Sequence, residues 1–338
     1  MKMISVYDSV GCILSHDVTQ IIPGEFKGRL FKKGHIIKDE DIEKFLSIGK
    51  EHIYVWEPEE GQLHENDAAI RLANLVTGEG IARSEEIKEG KVDFFADRDG
   101  VLKVDKDELF KLNTLGEIIV STLHNNTPIR KGEKIGATRV IPLIIEEEKI
   151  IKAEELIKNK IIYIEEIKQK KCLLITTGNE VYSGRIKDAF LPVIKSKLGY
   201  YGSEVVRQVI LPDSKEKIIE EIRKGFDEKV DMIICTGGMS VDPDDVTPTA
   251  IKECGGELVT YGSPVLPGAM FLLAYYNNIP ILGVPSCAMY SKRTVLDLVL
   301  PRVLADERLS LADIAEYGHG GLCLDCKVCT FPHCSFGK

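Results

Sequence analysis

The stretch Asp231-Met232-Ile233-Ile234-Cys235-Thr236-Gly237-Gly238-Met239-Ser240-Val241-Asp242-Pro243-Asp244-Asp245-Val246-Thr247-Pro248 decides how this chain is read. Asp231 to Thr236 has the apolar, β-branched make-up of a covered strand. Gly237 and Gly238 then allow the backbone to turn sharply and to bring N–H groups close to a ligand. Asp245 to Glu253 reads as a helix closed by Gly255-Gly256. The start of such a helix offers unpaired N–H donors and partial positive charge to an anion. By itself this turn is equally the mark of a plain strand-to-helix connection with a capping aspartate.

Working outward, the same grammar repeats on both sides. Cys172-Leu173-Leu174-Ile175-Thr176 reads as a buried strand, followed by the loop Thr176-Thr177-Gly178-Asn179-Glu180 and by Ser183-Gly184-Arg185. Ile186 to Leu198 is expected to be a helix ending at Gly199, Glu204 to Leu211 a strand, and Ser214 to Phe226 a helix. Asp213, with Glu216 three residues on, is the expected cap of that last helix. A β-rich excursion runs to Val284, and Tyr290 to Leu304 reads as a final helix. Strands alternating with helices imply an α/β domain with a parallel sheet covered on both faces. In such sheets the ligand site lies beyond the C-terminal ends of the strands, which points to the two glycine-bearing loops. Asp242, Asp244 and Asp245 would repel an anion, so a divalent cation or a neutral amide group of the ligand is expected near some of them, and magnesium suits oxygen ligands.

Upstream, residues 1–165 read as an α+β accessory region of short strands. Lys33 to Ile37 is expected to turn into a strand, Asp39 to Ile48 to be a short amphipathic helix, and His52 to Trp56 a strand. Glu65 to Leu75 and Lys106 to Leu112 have helical spacing; Ile118 to Leu123 and Val140 to Ile145 read as strands. Glu146 to Lys171, dense in Lys and Glu, is expected to be a solvated helix and strand joining this region to an α/β domain at 166–308. His52, His64 and His124 lack paired metal spacing, and Trp56 is expected to pack. The 338-residue chain is 44% hydrophobic, enough for two or three domains, and its net charge of −9 argues against nucleic acid as a partner. No run of eighteen apolar residues and no signal-peptide pattern is present, so a cytoplasmic protein without a membrane span is expected.

Four segments, Thr177-Gly178-Asn179-Glu180, Thr236 to Val241, Leu266-Pro267-Gly268 and Gly283-Val284-Pro285, fall in the order that resembles the molybdopterin molybdotransferases. Asp245-Val246-Thr247-Pro248 is more similar to the related molybdopterin adenylyltransferases. The resemblance covers about residues 172 to 304 and implies a three-layer α/β molybdopterin-binding fold. It further implies that Gly237, Gly238 and Ser240 hold the terminal phosphate of the pterin, with Thr177, Gly178, Asn179, Asp213, Pro267 and Gly268 in the cofactor-binding set. Glu180 and Asp245 are implied as catalytic carboxylates; Asp213 fits a helix cap equally well. Where the family has Gly-Asp-Glu, this chain has Gly178-Asn179-Glu180, a neutral amide in place of an acid. Arg185 and Lys187 are candidates to reach a phosphate, whereas Lys292 and Arg293 are expected on an exposed helix turn.

The resemblance implies a transferase of molybdenum cofactor biosynthesis, acting at molybdate insertion or pterin activation. Its partners would be molybdopterin or its adenylylated form, molybdate and magnesium, in a homo-oligomer. The alternative is a non-catalytic carrier or sensor of the cofactor that serves a molybdoenzyme, which the Asn179 departure favours. In the upstream region, Asn126 to Ile135 and Phe31 to Ile37 resemble family segments loosely and in altered order.

Nine cysteines divide into two groups. Cys12, Cys172, Cys235, Cys254 and Cys287 are scattered in apolar or glycine-rich surroundings and read as small packed thiols. Cys323, Cys326, Cys329 and Cys334 crowd a tail at 309–338, with the spacing of a metal-ligand set. Zinc and an iron–sulfur cluster both remain open, as do the neighbours His319 and His333 as zinc ligands. The competing reading is a tail of free thiols.

Overall fold

A computed structural model describes residues 2–22, 24–55, 60–240 and 242–338. Trp56 and Val241, named above, lie outside the described residues. The chain forms two compact units: one of residues 1–98, 102–125 and 130–164, the other of 99–101, 126–129 and 165–338.

The second unit is built on a six-stranded sheet. Its strands are β1 (Lys171–Thr177), β2 (Glu204–Leu211), β3 (Met232–Thr236), β4 (Glu257–Tyr261), β5 (Leu272–Tyr276) and β6 (Ile279–Val284). The order is β2-β1-β3-β6-β5-β4. β2, β1, β3 and β6 run parallel, with Ile175 opposite both Val209 and Cys235. β5 and β4 are antiparallel, so the sheet is mixed at one end, where the short turn between Tyr276 and Ile279 leaves room only for a hairpin. The β-rich excursion thus extends the sheet that the alternating strands begin.

Helices cover both faces. They are α1 (Asn179–Tyr182), α2 (Phe190–Tyr200), α3 (Lys215–Asp227), α4 (Thr247–Glu253), α5 (Val295–Leu304) and α6 (Leu311–Glu316). One core joins Leu174, Ile234 and Leu282 to Ile194 and to the wholly buried α5; the other joins Leu173, Ile233 and Ile281 to Ile218, Ile222 and Ile251. Side chains of period two from the same strands thus feed two cores, which is the three-layer arrangement.

Three helix starts fall later than the sequence pattern suggests. α2 begins at Phe190 because the Asp188 carboxylate accepts from the N–H groups of Phe190 (2.9 Å) and Leu191 (3.2 Å). α4 begins at Thr247, leaving Asp245 in the loop. α5 begins at Val295, capped by Thr294 and Asp297, which takes Lys292 and Arg293 out of the helix. Ser214, not Asp213, caps α3, for its side chain accepts from Lys217 N–H.

Residues 309–338 pack onto this unit. Ile314, Tyr317 and Phe336 are buried in the core beneath α5. Arg302, 2% exposed, holds the segment with charge-assisted bonds to Glu307, Asp313 and the Tyr317 hydroxyl.

The first unit has a four-stranded antiparallel sheet of Ile81–Arg83, Lys91–Ala96, Lys134–Val140 and Ile118–Thr122 in that order. Glu65–Val76 packs on it, and Arg71 ties that helix to Glu147 and Glu154 of Glu147–Leu156. A smaller core gathers Leu14, Phe31, Phe45 and Val55. Two expectations fail here. Lys33 to Ile37 is a turn with a lone bridge from Ile36 to Ile13, and Val140 to Ile145 splits between the ends of two strands. His64 is a packed histidine, its ring bonded to Ser15 O and to Asn66 N–H.

Candidate functional site

Beyond the C-terminal ends of β1, β3 and β6 lies a cleft of about 480 Å³. Thr177, Gly178, Glu180, Asp213, Gly237, Gly238, Ser240 and Asp245 all line it, joining loops about sixty residues apart in the chain. Gly237 and Gly238 sit at φ +85° and +55°, conformations that disfavour a Cβ. A Cβ on Gly237 would stand 2.0 Å from the Thr177 carbonyl oxygen; one on Gly238 would stand 2.9 Å from Thr247 Oγ1. The turn is therefore pressed against the end of β1, and a ligand can meet bare backbone there. The Thr177 and Thr247 hydroxyls, both buried, meet at 3.2 Å beneath it.

Two further residues fix the glycine loop. Met239 is 4% exposed and drives its side chain toward Gly283, where a Cβ would come within 2.4 Å of Met239 Cε. The Tyr261 hydroxyl lies 3.0 Å from Met239 O and 2.9 Å from Ser240 O, so its one proton is shared between two carbonyls. Sequence reading missed Tyr261, because β4 reaches the loop only through the sheet.

Asn179 and Asp213 form a clasp. Asn179 N–H donates to Asp213 Oδ2 (2.9 Å), and Asp213 N–H donates to Asn179 Oδ1 (3.3 Å). Asn179 is not among the cleft-lining residues; its amide is spent joining the ends of β1 and β2. The Asp213 carboxyl titrates above its ordinary value, chiefly through burial, with Glu180, Asp244 and Asp245 adding repulsion and the Asn179 N–H opposing. Asp245 Oδ2 accepts from Asp242 N–H at 3.0 Å, which holds the acidic loop in a tight turn. Lys187 also lines the cleft.

Pro267 and Gly268 stand elsewhere. Pro267 O accepts from Val295 N–H (3.2 Å), and a Cβ on Gly268 would meet Val295 Cγ1 at 2.6 Å. Leu266, one residue earlier, donates to Gly321 O and accepts from Cys323 N–H, each at 2.8 Å. This turn locks α5 and the tail together; neither Pro267 nor Gly268 is among the cleft-lining residues.

A second cleft, of about 50 Å³, is lined by Cys323, Cys326, Cys329 and Cys334 together. Lys292, Arg293, Phe331 and Phe336 share its walls. Among the described residues, no group of three or more His, Cys, Asp or Glu side chains is placed to hold a metal ion. Cys172, Cys235 and Cys254 are buried, and burial pushes the Cys254 thiol up; Cys12 and Cys287 are half-buried. Among the described residues, no helix is long and apolar enough to cross a membrane.

Residues 173–305 match the family model described as a probable molybdopterin binding domain, and this segment is a domain of that family. Residues 3–57 match a domain of unknown function. A protein of Pyrobaculum calidifontis is 41% identical over 87 residues, 25% of this chain and 33% of the relative. A CinA-like protein of Thermosipho melanesiensis is 40% identical over 91 residues, 27% of this chain and 22% of the relative. The match thus spans a third or less of these curated relatives. Among solved structures, the molybdopterin biosynthesis enzyme MoaB of Thermus thermophilus shares 21% identity and a TM-score of 0.33, over 40% of this chain and 92% of that one.

Proposed function

We propose that the cleft at the ends of β1 and β3 binds molybdopterin by its phosphate, and that the chain acts in molybdenum cofactor biosynthesis. The observation that carries this is the glycine cradle: bare backbone at Gly237 and Gly238, clamped by Tyr261 and Met239, in the segment that matches a molybdopterin-binding family. The phosphate would be received by the backbone of Gly237 to Ser240 and by the exposed Ser240 hydroxyl, with Lys187 within the same cleft.

The acidic side chains suit a divalent cation better than they suit a bare phosphate. Glu180, Asp244 and Asp245 add to the cost of a charge on Asp213, and a magnesium ion is a hard cation that accepts such oxygens. Bound there, it would neutralise charge on the phosphate or on molybdate. Glu180 and Asp245 would hold it, while the Asn179–Asp213 clasp keeps the loop ends in register. In this reading the protein works by positioning and charge neutralisation, at molybdate insertion or at activation of the pterin phosphate.

The second reading, a carrier that delivers the finished cofactor to a molybdoenzyme, is favoured by one observation. The position where the resemblance leads one to expect an acid is Asn179, and its amide is committed to Asp213. Two measurements divide these readings. Protein from a host that makes the cofactor, purified without oxygen, should release a fluorescent oxidised pterin; Gly238→Trp with Asp245→Ala should not. Lack of pterin in the wild type, also after soaking with molybdopterin, would remove the binding proposal. Molybdate incorporation beyond one equivalent per chain, with magnesium present, would exclude the passive carrier.

A further inference from the structure

We infer that Cys323, Cys326, Cys329 and Cys334 bind an iron–sulfur cluster of the four-iron type in the second cleft, a site separate from the pterin cleft. Four cysteines within twelve residues line one small cavity. The tail is held to a fold to achieve this. Cys323 N–H is bonded to Leu266 O, Phe336 is buried in the core, and Cys323 and Cys334 pack against that core.

The walls suit a cluster in charge and polarity. Four thiolates around such a cluster leave net negative charge, and its stability depends on donors aimed at sulfur and on exclusion of water. Phe331 and Phe336 supply apolar wall, and Arg293 lies over the Phe331 ring at 4.8 Å. Lys292 Nζ donates to Cys326 O (2.8 Å) and Lys327 O (3.3 Å), which pins the loop between two of the cysteines. Arg293 Nη1 is held by Asp297 at 2.9 Å, and the guanidinium also hydrogen-bonds the Cys329 thiol. A guanidinium bonded to one of the four cysteine sulfurs is a donor of the kind that stabilises a negatively charged cluster. Thiolate and inorganic sulfide are both acceptors.

Spacing favours the cluster over a lone zinc, for Cys323, Cys326 and Cys329 repeat the C-x2-C-x2-C run of bacterial ferredoxins. Zinc bound at about 2.3 Å needs its four sulfurs within about 4 Å of one another. A four-iron cluster instead takes one cysteine on each iron, and all four cysteines line this one cleft. Ligation takes the four side chains as thiolates, so their protons are released on loading.

The test uses the full chain, purified without oxygen and then supplied with iron, sulfide and a thiol reductant. Iron, acid-labile sulfide and zinc are measured per chain, with visible absorption as the second readout. The expectation is about four iron and four sulfide per chain. Cys326→Ser and Cys329→Ser should lose the visible band, while Cys12→Ser, in the other unit, should retain it. About one zinc per chain with no sulfide, or a visible band unchanged in both serine variants, would overturn the assignment. A wild type that takes up neither metal would do the same. Circular dichroism checks that the variants are folded; should one not be, the wild-type stoichiometry decides alone. Pterin release is independent of this result, so the two proposals fail separately.

Discussion

Replacing Gly237 by alanine should cost far more than the same change at Gly184, and the difference can be worked from the structure. Both glycines lie at similar positive φ, +85° and +74°. That conformation alone costs an L-residue about 1–2 kcal/mol. At Gly184 an added Cβ meets nothing within 4 Å, so the cost should end there. At Gly237 the Cβ would lie 2.0 Å from Thr177 O and 2.9 Å from Thr177 C, both backbone atoms of the strand end. Neither can swing aside, so β1 and β3 must part or the turn must rebuild. Overpacking of this kind adds about 1–3 kcal/mol, giving ~2–5 kcal/mol in all, against ~5–15 kcal/mol for a typical domain. Because the chain has two units, unfolding should be followed by hydrogen exchange in β1 and β3 rather than by one global transition. Pterin content would be measured on the same samples. Equal costs at the two glycines would refute the close approach of the turn to Thr177, and with it the bare-backbone cradle.

Three other changes test separate parts of the molecule. Tyr261→Phe removes the hydroxyl shared by Met239 O and Ser240 O, and should weaken pterin binding about fivefold, the equivalent of ~1 kcal/mol, with little change in melting temperature. Asp297→Asn breaks an acceptor for Lys197 (2.7 and 2.8 Å) and Arg293 (2.9 Å) at a side chain 4% exposed, and should destabilise the C-terminal unit by about 3 kcal/mol in chemical denaturation. Glu65, in the first unit, has its carboxyl pushed up from 4.5 to about 7, first by burial. Its folded form holds the proton more tightly than the unfolded chain, so its contribution is full below pH 4.5 and is lost as pH rises toward 7. Glu65→Gln should therefore stabilise that unit at pH 8 by about 2 kcal/mol, discounted for partial solvation, and flatten the pH profile; an unchanged profile would refute it.

The α/β core was legible because its strands are short apolar runs between glycines and charged helices, and period alone separates the two. Helix starts were less so. Asp188 and Thr294 carry the caps of α2 and α5, and a capping residue looks the same in sequence whether its helix starts one residue later or five. The glycine turn and Glu180, Asp213 and Asp245 could be found from order along the chain, since the rule about strand ends gathers them. Tyr261, Met239 and Thr247 could not, for their roles depend on which strands become neighbours. Pro267 and Gly268 show the opposite case: family order marked them, but their contacts are with α5 and the tail. Arg293 looked like an exposed helix turn and instead faces the cysteine cleft, because Asp297 caps α5 and draws the guanidinium inward.

The burial of Phe336, Tyr317 and Ile314 in the same core as Leu174 and Ile234 has a consequence for synthesis. β1 emerges from the ribosome more than a hundred residues before the aromatic ring that closes its lower face. Until then α5, apolar except for Asp297 and Arg302, lacks the cover of Tyr317 and Phe336. During that interval the nascent chain resembles a folding intermediate with open hydrophobic surface, the kind of species that chaperones hold and that aggregates when crowded. Translation speed through residues 305–336 therefore bears on yield, and a pause placed there should lower it more than one placed between the two units.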